Sequence, residues 1–323
     1  MRLTNSIPAF MVLAILASSQ VSAGHPSQQT QPKPYTIGVR VGLAVLPVTV
    51  TDRKQHRVSG LKMADFQVYE DGRPQELTVF EDKDAPVTVG LLVDNSASMG
   101  PKRPAVIAAA MAFAESSNPQ DEIFVVKFDQ SVHMEFSPAA PFTSNLKELR
   151  DALSTITARG ETALYDAIAV ALDHLKGSSS DRKYLIIMSD GGDNASRHSL
   201  SEILTMVNKS NVAIYSVGIV NENYSDENPG VLKKLSKVSG GEFYLPESVP
   251  QVVDACKLIA RDIRQQYTLG YVPANPAEDG EYRRIKVTVS APGIGHLRVR
   301  TRDGYLAPTA APIRAAAQGM PAR

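Results

Sequence analysis

The stretch VTVGLLVDNSASMG, residues 87–100, decides the fold and suggests the function of this chain. It opens with an apolar run that is typical of a strand buried on both faces of a parallel sheet. The run ends in Asp94, and two small hydroxyl residues follow at alternate positions, Ser96 and Ser98. Open α/β sheets place their ligand sites at the carboxyl ends of strands. Because one carboxylate and two hydroxyls are hard oxygen ligands suited to Mg²⁺, we predict half of a metal site here.

Two later stretches supply the second half of the predicted site. Residues 160–177, GETALYDAIAVALDHLKG, place Thr162 at the start of a helix, and residues 184–192, YLIIMSDGG, form an apolar run that ends in Asp190. Each piece has an ordinary alternative. DNSAS fits an Asx turn with a helix cap, Thr162 fits an N-cap, and Asp190 with its two glycines fits a simple turn. The order and spacing of all three pieces together favour the metal site.

This ordered set resembles the metal-ion-dependent adhesion site of von Willebrand factor type A domains. The resemblance implies that the metal-site residues are Asp94, Ser96, Ser98, Thr162 and Asp190. In that family the serines and the threonine bind the ion directly or nearly so, and the aspartates bind it directly or through water. One position is left for a carboxylate of the ligand. The implied cofactor is Mg²⁺, with Mn²⁺ or Ca²⁺ as alternatives, and the implied partner is a protein that offers an acidic side chain.

Two residues near Asp190 are candidates for orienting the metal ligands through hydrogen bonds without binding the ion. These are Asp193 and Asn194, although the sequence favours an ordinary turn for both. Asp166 lies in the predicted helix start, where we interpret it as a surface charge and not as a metal ligand.

The fold class follows from the order of strands and helices. Residues 86–265 alternate between the two, which predicts an α/β fold with a doubly wound, mostly parallel, Rossmann-like sheet, and the resemblance to the type A fold covers this whole stretch. Residues 35–85 and 266–308 show strand patterns without helices, and each has too few strands to be stable alone. We predict that they pair into one small β-sandwich that flanks the α/β domain. Both flanking segments resemble those of secreted von Willebrand factor A-related proteins that are abundant in acidobacteria.

Composition excludes a partner that binds through bulk charge. The 323 residues include 34 Lys and Arg and 34 Asp and Glu, so the formal net charge is zero. Nucleic acid and anionic membrane surfaces attract strongly basic proteins, and we therefore expect neither as a partner.

The N-terminal residues predict export. Residues 1–23 combine Arg2, the apolar core IPAFMVLAILA and a small-residue cleavage site that ends at Ala23, which is the pattern of a secretory signal peptide. The alternative is an N-terminal membrane anchor, but the apolar core is short for a span. We expect cleavage near Ala23, a periplasmic or extracellular location, and no transmembrane segment in the mature chain. Residues 24–34 are predicted to form a flexible leader, and residues 309–323 a disordered tail.

No sequence motif indicates catalysis. The chain has no Gly-x-Ser-x-Gly elbow, no Walker loop and no His-Glu-x-x-His pair. The rival interpretation is a phosphatase of the haloacid-dehalogenase type with Asp94 as nucleophile, but Ser96 stands where those enzymes require a second acid. We therefore expect an exported protein-binding module and not an enzyme. A third interpretation is a structural component of a cell-envelope assembly, in which the ion only ties loops together.

Overall fold

The structure is a computed structural model that describes residues 42–155, 160–220 and 227–309. The predicted signal peptide, the predicted leader and the tail from residue 310 lie outside these ranges. Thr309, which the sequence analysis assigned to the tail, forms an isolated antiparallel bridge with Asp279. No helix within these ranges has the length and hydropathy of a bilayer span.

The described elements fall into three consecutive groups. The N-terminal group contains one short 3₁₀ helix, Met63–Asp65, and four strands: β1 (Ala44–Thr51), β2 (Phe66–Glu70), β3 (Arg73–Gln75) and β4 (Leu77–Glu81). The central group alternates: β5 (Thr88–Asp94), α1 (Arg103–Ser116), β6 (Glu122–Phe128), β7 (Val132–Met134), α2 (Leu146–Ser154), α3 (Leu164–His174), β8 (Lys183–Ser189), α4 (Leu200–Lys209), β9 (Val212–Gly218), α5 (Pro229–Ser239), β10 (Phe243–Tyr244) and α6 (Val249–Arg264). The C-terminal group contains only strands: β11 (Tyr267–Tyr271), β12 (Tyr282–Val289), β13 (Arg298–Arg300) and β14 (Gly304–Leu306).

The central group forms a six-stranded sheet in the order β10-β9-β8-β5-β6-β7. Its strands are parallel except for β7, which pairs antiparallel with β6 at one edge. All seven residues of β5 are buried, because helices cover both faces of the sheet. Leu91 faces the cluster that contains α1 and α6, and Leu92 faces the cluster that contains α3, α4 and α5. Each such fully buried leucine contributes about 2 kcal/mol. The predicted doubly wound, mostly parallel α/β sheet is confirmed.

The N- and C-terminal strands combine into two antiparallel sheets. Their orders are β13-β1-β11-β4 and β14-β12-β2-β3, so each sheet contains strands from both ends of the chain. Leu46 of β1 is opposite Leu269 of β11, and Val68 of β2 is opposite Val287 of β12. These four side chains belong to one buried cluster between the sheets. The flanking β-sandwich is therefore built as the fold class predicted.

A buried carboxylate joins the sandwich to the α/β domain. Asp262 of α6 accepts hydrogen bonds from the hydroxyl of Tyr215 in β9 and from Arg300 Nη2 in β13, the latter at 2.6 Å, and it also pairs with Arg57. The nearby Gln266 amide donates to Tyr215 Oη at 2.8 Å. Charges buried between two packing layers need such partners, because an unpaired one costs several kcal/mol. The network therefore fixes how the two layers pack.

We predict that Asp262→Ala lowers the free energy of unfolding by about 3 kcal/mol. It removes the carboxylate that Arg57 and Arg300 share, although Arg300 keeps its ion pair with Glu242. Urea denaturation of the purified chain measures this change. Asp254→Ala is the matched control, since Asp254 is an exposed residue of the same helix, and it should change stability by less than about 0.5 kcal/mol. Equal losses in the two variants would show that the junction does not depend on Asp262.

Candidate metal site

Two neighbouring parallel strands bring the predicted carboxylates to one edge of the sheet. β5 and β8 are hydrogen-bonded partners, and Val93 is level with Met188 in their register. Asp94 is the last residue of β5, and Asp190 directly follows the last residue of β8. Both carboxylates are buried, with 1% and 2% of the residue exposed. The pairing of β5 with β8 therefore brings the two acids side by side.

The loop after β5 places both serines against these acids. Ser98 Oγ donates to Asp190 Oδ2 at 2.6 Å, and the hydroxyls of Ser96 and Ser98 lie 3.2 Å apart. The backbone N–H of Ser96 donates to Asp94 Oδ1 at 2.9 Å. Four of the five predicted ligands thus form one hydrogen-bonded oxygen cluster, to which Asp94 is linked through the backbone N–H of Ser96. Their assignment to a metal ion stays a prediction.

Thr162 lies on a third loop, which is joined by its backbone to the other two. Its N–H donates to Asn194 Oδ1 at 2.7 Å, and its carbonyl accepts from the N–H of Asn194 at 3.0 Å. The neighbouring Gly160 carbonyl accepts from the N–H of Ala97 at 3.2 Å. Thr162 is 4% exposed. The threonine is therefore held between the loops that carry Ser98 and Asp190.

Asp193 and Asn194 connect loops. Asp193 Oδ2 accepts from the backbone N–H of Tyr165 in the first turn of α3 at 2.9 Å and from Ser196 Oγ at 2.6 Å. Asn194 binds the backbone of Thr162. Both side chains thus position the threonine loop and the start of α3, which is a more specific role than the turn predicted as their alternative.

Asp166 forms a separate contact on the same helix. Its carboxylate accepts from the backbone N–H groups of Arg197 and His198 and lies 2.6 Å from His198 Nδ1. It ties α3 to the loop after β8, so it is more than the surface charge that the sequence suggested.

Ser189 is a site residue that the sequence analysis missed. Its hydroxyl donates to Asp94 Oδ2 at 2.6 Å and accepts from the N–H of Gly191 at 3.0 Å. Ser189 therefore bridges the two strand ends. The available signal was a small polar residue that closes an otherwise apolar strand.

Comparison with known proteins identifies the family of the central domain. The family model of the von Willebrand factor type A domain matches residues 89–192. The chain contains a von Willebrand factor type A domain. No curated protein sequence matches the chain.

Among solved structures, a von Willebrand factor type A protein from Catenulispora acidiphila is similar to this chain. The TM-score is 0.50 at 12% sequence identity, over 83% of this chain and 73% of that one. The vWF domain of a type V pili tip protein from Porphyromonas gingivalis is similar with a TM-score of 0.45 at 15% identity, over 56% of this chain and 95% of that one. At 12% identity the similarity to the Catenulispora acidiphila protein shows the fold alone.

A lysine with a largely buried side chain lies next to the oxygen cluster of the type A domain. Lys102 Nζ is 3.6 Å from Asp190 Oδ2 and 2.9 Å from Glu227 Oε1. Lys102 ends the 3₁₀ turn Ala97–Lys102, and Glu227 lies shortly before α5. Neither residue was predicted from the sequence, because neither belongs to a metal-ligand pattern.

Burial controls the protonation of Asp94. Removal from water raises the pKa of this carboxyl group from 3.8 to about 6, and the charge of Asp190 adds to the rise. The hydrogen bonds from Ser189 and Ser96 oppose it, because they favour the charged form. A cation bound at this point would favour the carboxylate.

The donor set fits a hard divalent cation. The candidate ligands are two carboxylates and three hydroxyls, and Mg²⁺ is satisfied by few carboxylates because it retains several waters. Within the described ranges no group of three or more His, Cys, Asp or Glu side chains is placed to hold a metal ion. A site here therefore depends on the hydroxyl oxygens, and soft thiolate-seeking metals do not fit it.

We predict that Asp94→Asn stabilises the metal-free protein at pH 7.5 by up to about 3 kcal/mol. The folded-state pKa of Asp94 is raised, so the folded state binds its proton more tightly than the unfolded state and loses stability as the pH rises from about 4 to about 6. Asparagine avoids this cost while keeping an acceptor for Ser96 N–H.

Urea denaturation in EDTA at pH 4 and at pH 7.5 measures the effect, with the exposed Asp254→Asn as control. The gain in free energy of unfolding of Asp94→Asn over the wild type should be larger at pH 7.5 than at pH 4. A variant that is less stable than the wild type there would contradict the argument.

Proposed function

We propose that the type A domain binds a protein partner through a divalent cation. An acidic side chain of the partner fills the last coordination position of this ion. The ion is Mg²⁺, held by Asp94, Ser96, Ser98, Thr162 and Asp190. The observation that carries the proposal is the contact of Ser96, Ser98 and Asp190 oxygens at the ends of adjacent strands. When bound, the ion would supply an electrophilic centre for an anionic oxygen.

Charge balance supports an acidic ligand. Two carboxylates formally neutralise Mg²⁺, and an ion that one of them contacts only through water keeps an attraction for a further anionic oxygen. Asp94, Ser96 and Asp190 are each at most 2% exposed, whereas Ser98 is partly exposed. A partner would therefore approach the ion from the side of Ser98.

Export and the absence of catalysis complete the proposal. The signal-peptide pattern of residues 1–23 supports export, and the lack of any catalytic motif in the sequence supports a binding protein. The burial of Asp94, Ser96 and Asp190 favours a second candidate, in which the ion is purely structural within a cell-envelope assembly. The two candidate functions differ in whether the ion keeps a coordination position that an external ligand can occupy.

We predict that Mg²⁺ and Mn²⁺ each bind the purified mature chain at one saturable site, and that Asp94→Ala abolishes this binding. Isothermal titration calorimetry measures both, and circular dichroism verifies that the variant is folded. Asp254→Ala serves as the control and should bind as the wild type does. Undiminished binding by Asp94→Ala would remove Asp94 from the site.

We further predict that bound Mn²⁺ accelerates water proton relaxation, because an open position holds an exchangeable water. A peptide of alternating glycine and glutamate should reduce this effect and should bind only in the presence of the ion, whereas the same peptide with glutamine should not. Saturable Mn²⁺ binding without relaxation enhancement would favour the structural ion.

A further inference from the structure

We infer that Lys102 is the resident counter-ion of the metal-free site and that it weakens the affinity of the site for divalent cations. The inference rests on the proposed function, because it concerns the same cluster of oxygens. It assigns a role to a residue that no metal-ligand pattern contains.

Three charged groups with largely buried side chains meet at this point. The side chains of Lys102, Asp190 and Glu227 are 9%, 3% and 8% exposed, and the ammonium lies 3.6 Å from one carboxylate and 2.9 Å from the other. Asp94 lies nearby at the end of the adjacent strand. Carboxylates crowded in a buried place need a positive charge. In the absence of an ion, Lys102 provides it.

The chain holds Glu227 near the site through its backbone. The N–H of Asn228 donates to the carbonyl of Asp190 at 3.0 Å. Gly191 permits this approach, since it has a φ of +84° and a Cβ there would lie 2.3 Å from the carbonyl oxygen of Asn228. Glycine alone adopts this conformation without strain and leaves the required space. Glu227 is thus fixed close to Asp190 as a partner for the ammonium.

A dication that binds beside Asp190 would be repelled by the same ammonium. Repulsion between charges separated by several ångströms is substantial in a protein interior, where screening is weaker than in water. The charge of Lys102 therefore weakens binding of the ion, and the same charge stabilises the metal-free site. Removal of that charge should change the two properties in opposite directions.

The test is Lys102→Met, with Lys102→Gln as a second neutral variant in case the first does not fold. Mg²⁺ affinity is measured by calorimetry at fixed ionic strength, and metal-free stability by urea denaturation in EDTA. We expect affinity for Mg²⁺ about tenfold tighter than wild type and a lower urea midpoint. Lys102→Arg, which keeps the charge, should bind Mg²⁺ within about threefold of wild type.

Lys176→Met is the matched control, because it removes the same charge from a residue whose side chain is 75% exposed. It should change neither property. If the wild type binds Mg²⁺ and the neutral variants bind it equally or more weakly, the role of Lys102 is overturned and the proposed function stands. An unchanged metal-free stability, or the same tightening in Lys176→Met, also overturns the role. If no variant and no wild-type protein binds Mg²⁺ or Mn²⁺, the proposed function fails and this inference fails with it.

Discussion

The parallel pairing of β5 with β8 is the constraint on which the candidate site depends. Both strands are almost completely buried, and each delivers a carboxylate at its end, one from Asp94 and one from Asp190. Burying two acids side by side is unfavourable, as the raised pKa of Asp94 shows. The surrounding chain responds with hydroxyl donors from Ser98 and Ser189 and with the ammonium of Lys102. These donors and this ammonium therefore offset the electrostatic cost of burying two carboxylates at the ends of adjacent strands.

The loops around the site are joined by main-chain and side-chain hydrogen bonds. Gly160 and Thr162 bind the loops after β5 and β8 through backbone atoms, and Asp193 adds a side-chain contact to the start of α3. Each of the three loops is thus hydrogen-bonded to another. The oxygen cluster and the first turn of α3 therefore form one connected unit.

Much of this arrangement was predictable from local patterns. Apolar runs that end in Asp94 and Asp190 identified the strands and their shared edge, and the incomplete β patterns at both ends predicted the shared sandwich. The contacts of Lys102 and Asp262 were not predictable. Lys102 meets Glu227 across 125 positions of sequence, and Asp262 receives two arginines and a tyrosine from three separate segments. Such contacts depend on how loops and layers pack, which no periodicity records.

Each sandwich sheet combines strands from both ends of the chain, and this constrains how the chain can fold. Leu46 pairs with Leu269, and Phe66 with Val289, so each sheet closes only after the intervening α/β domain has been made. Contacts between such distant residues form slowly, since the entropy of closing the intervening chain must be overcome first. A nascent or truncated chain therefore presents the apolar faces of β1 and β2 without their partners. Synthesis from the N-terminus makes this incomplete state unavoidable, and it is the stage at which the protein is most exposed to aggregation.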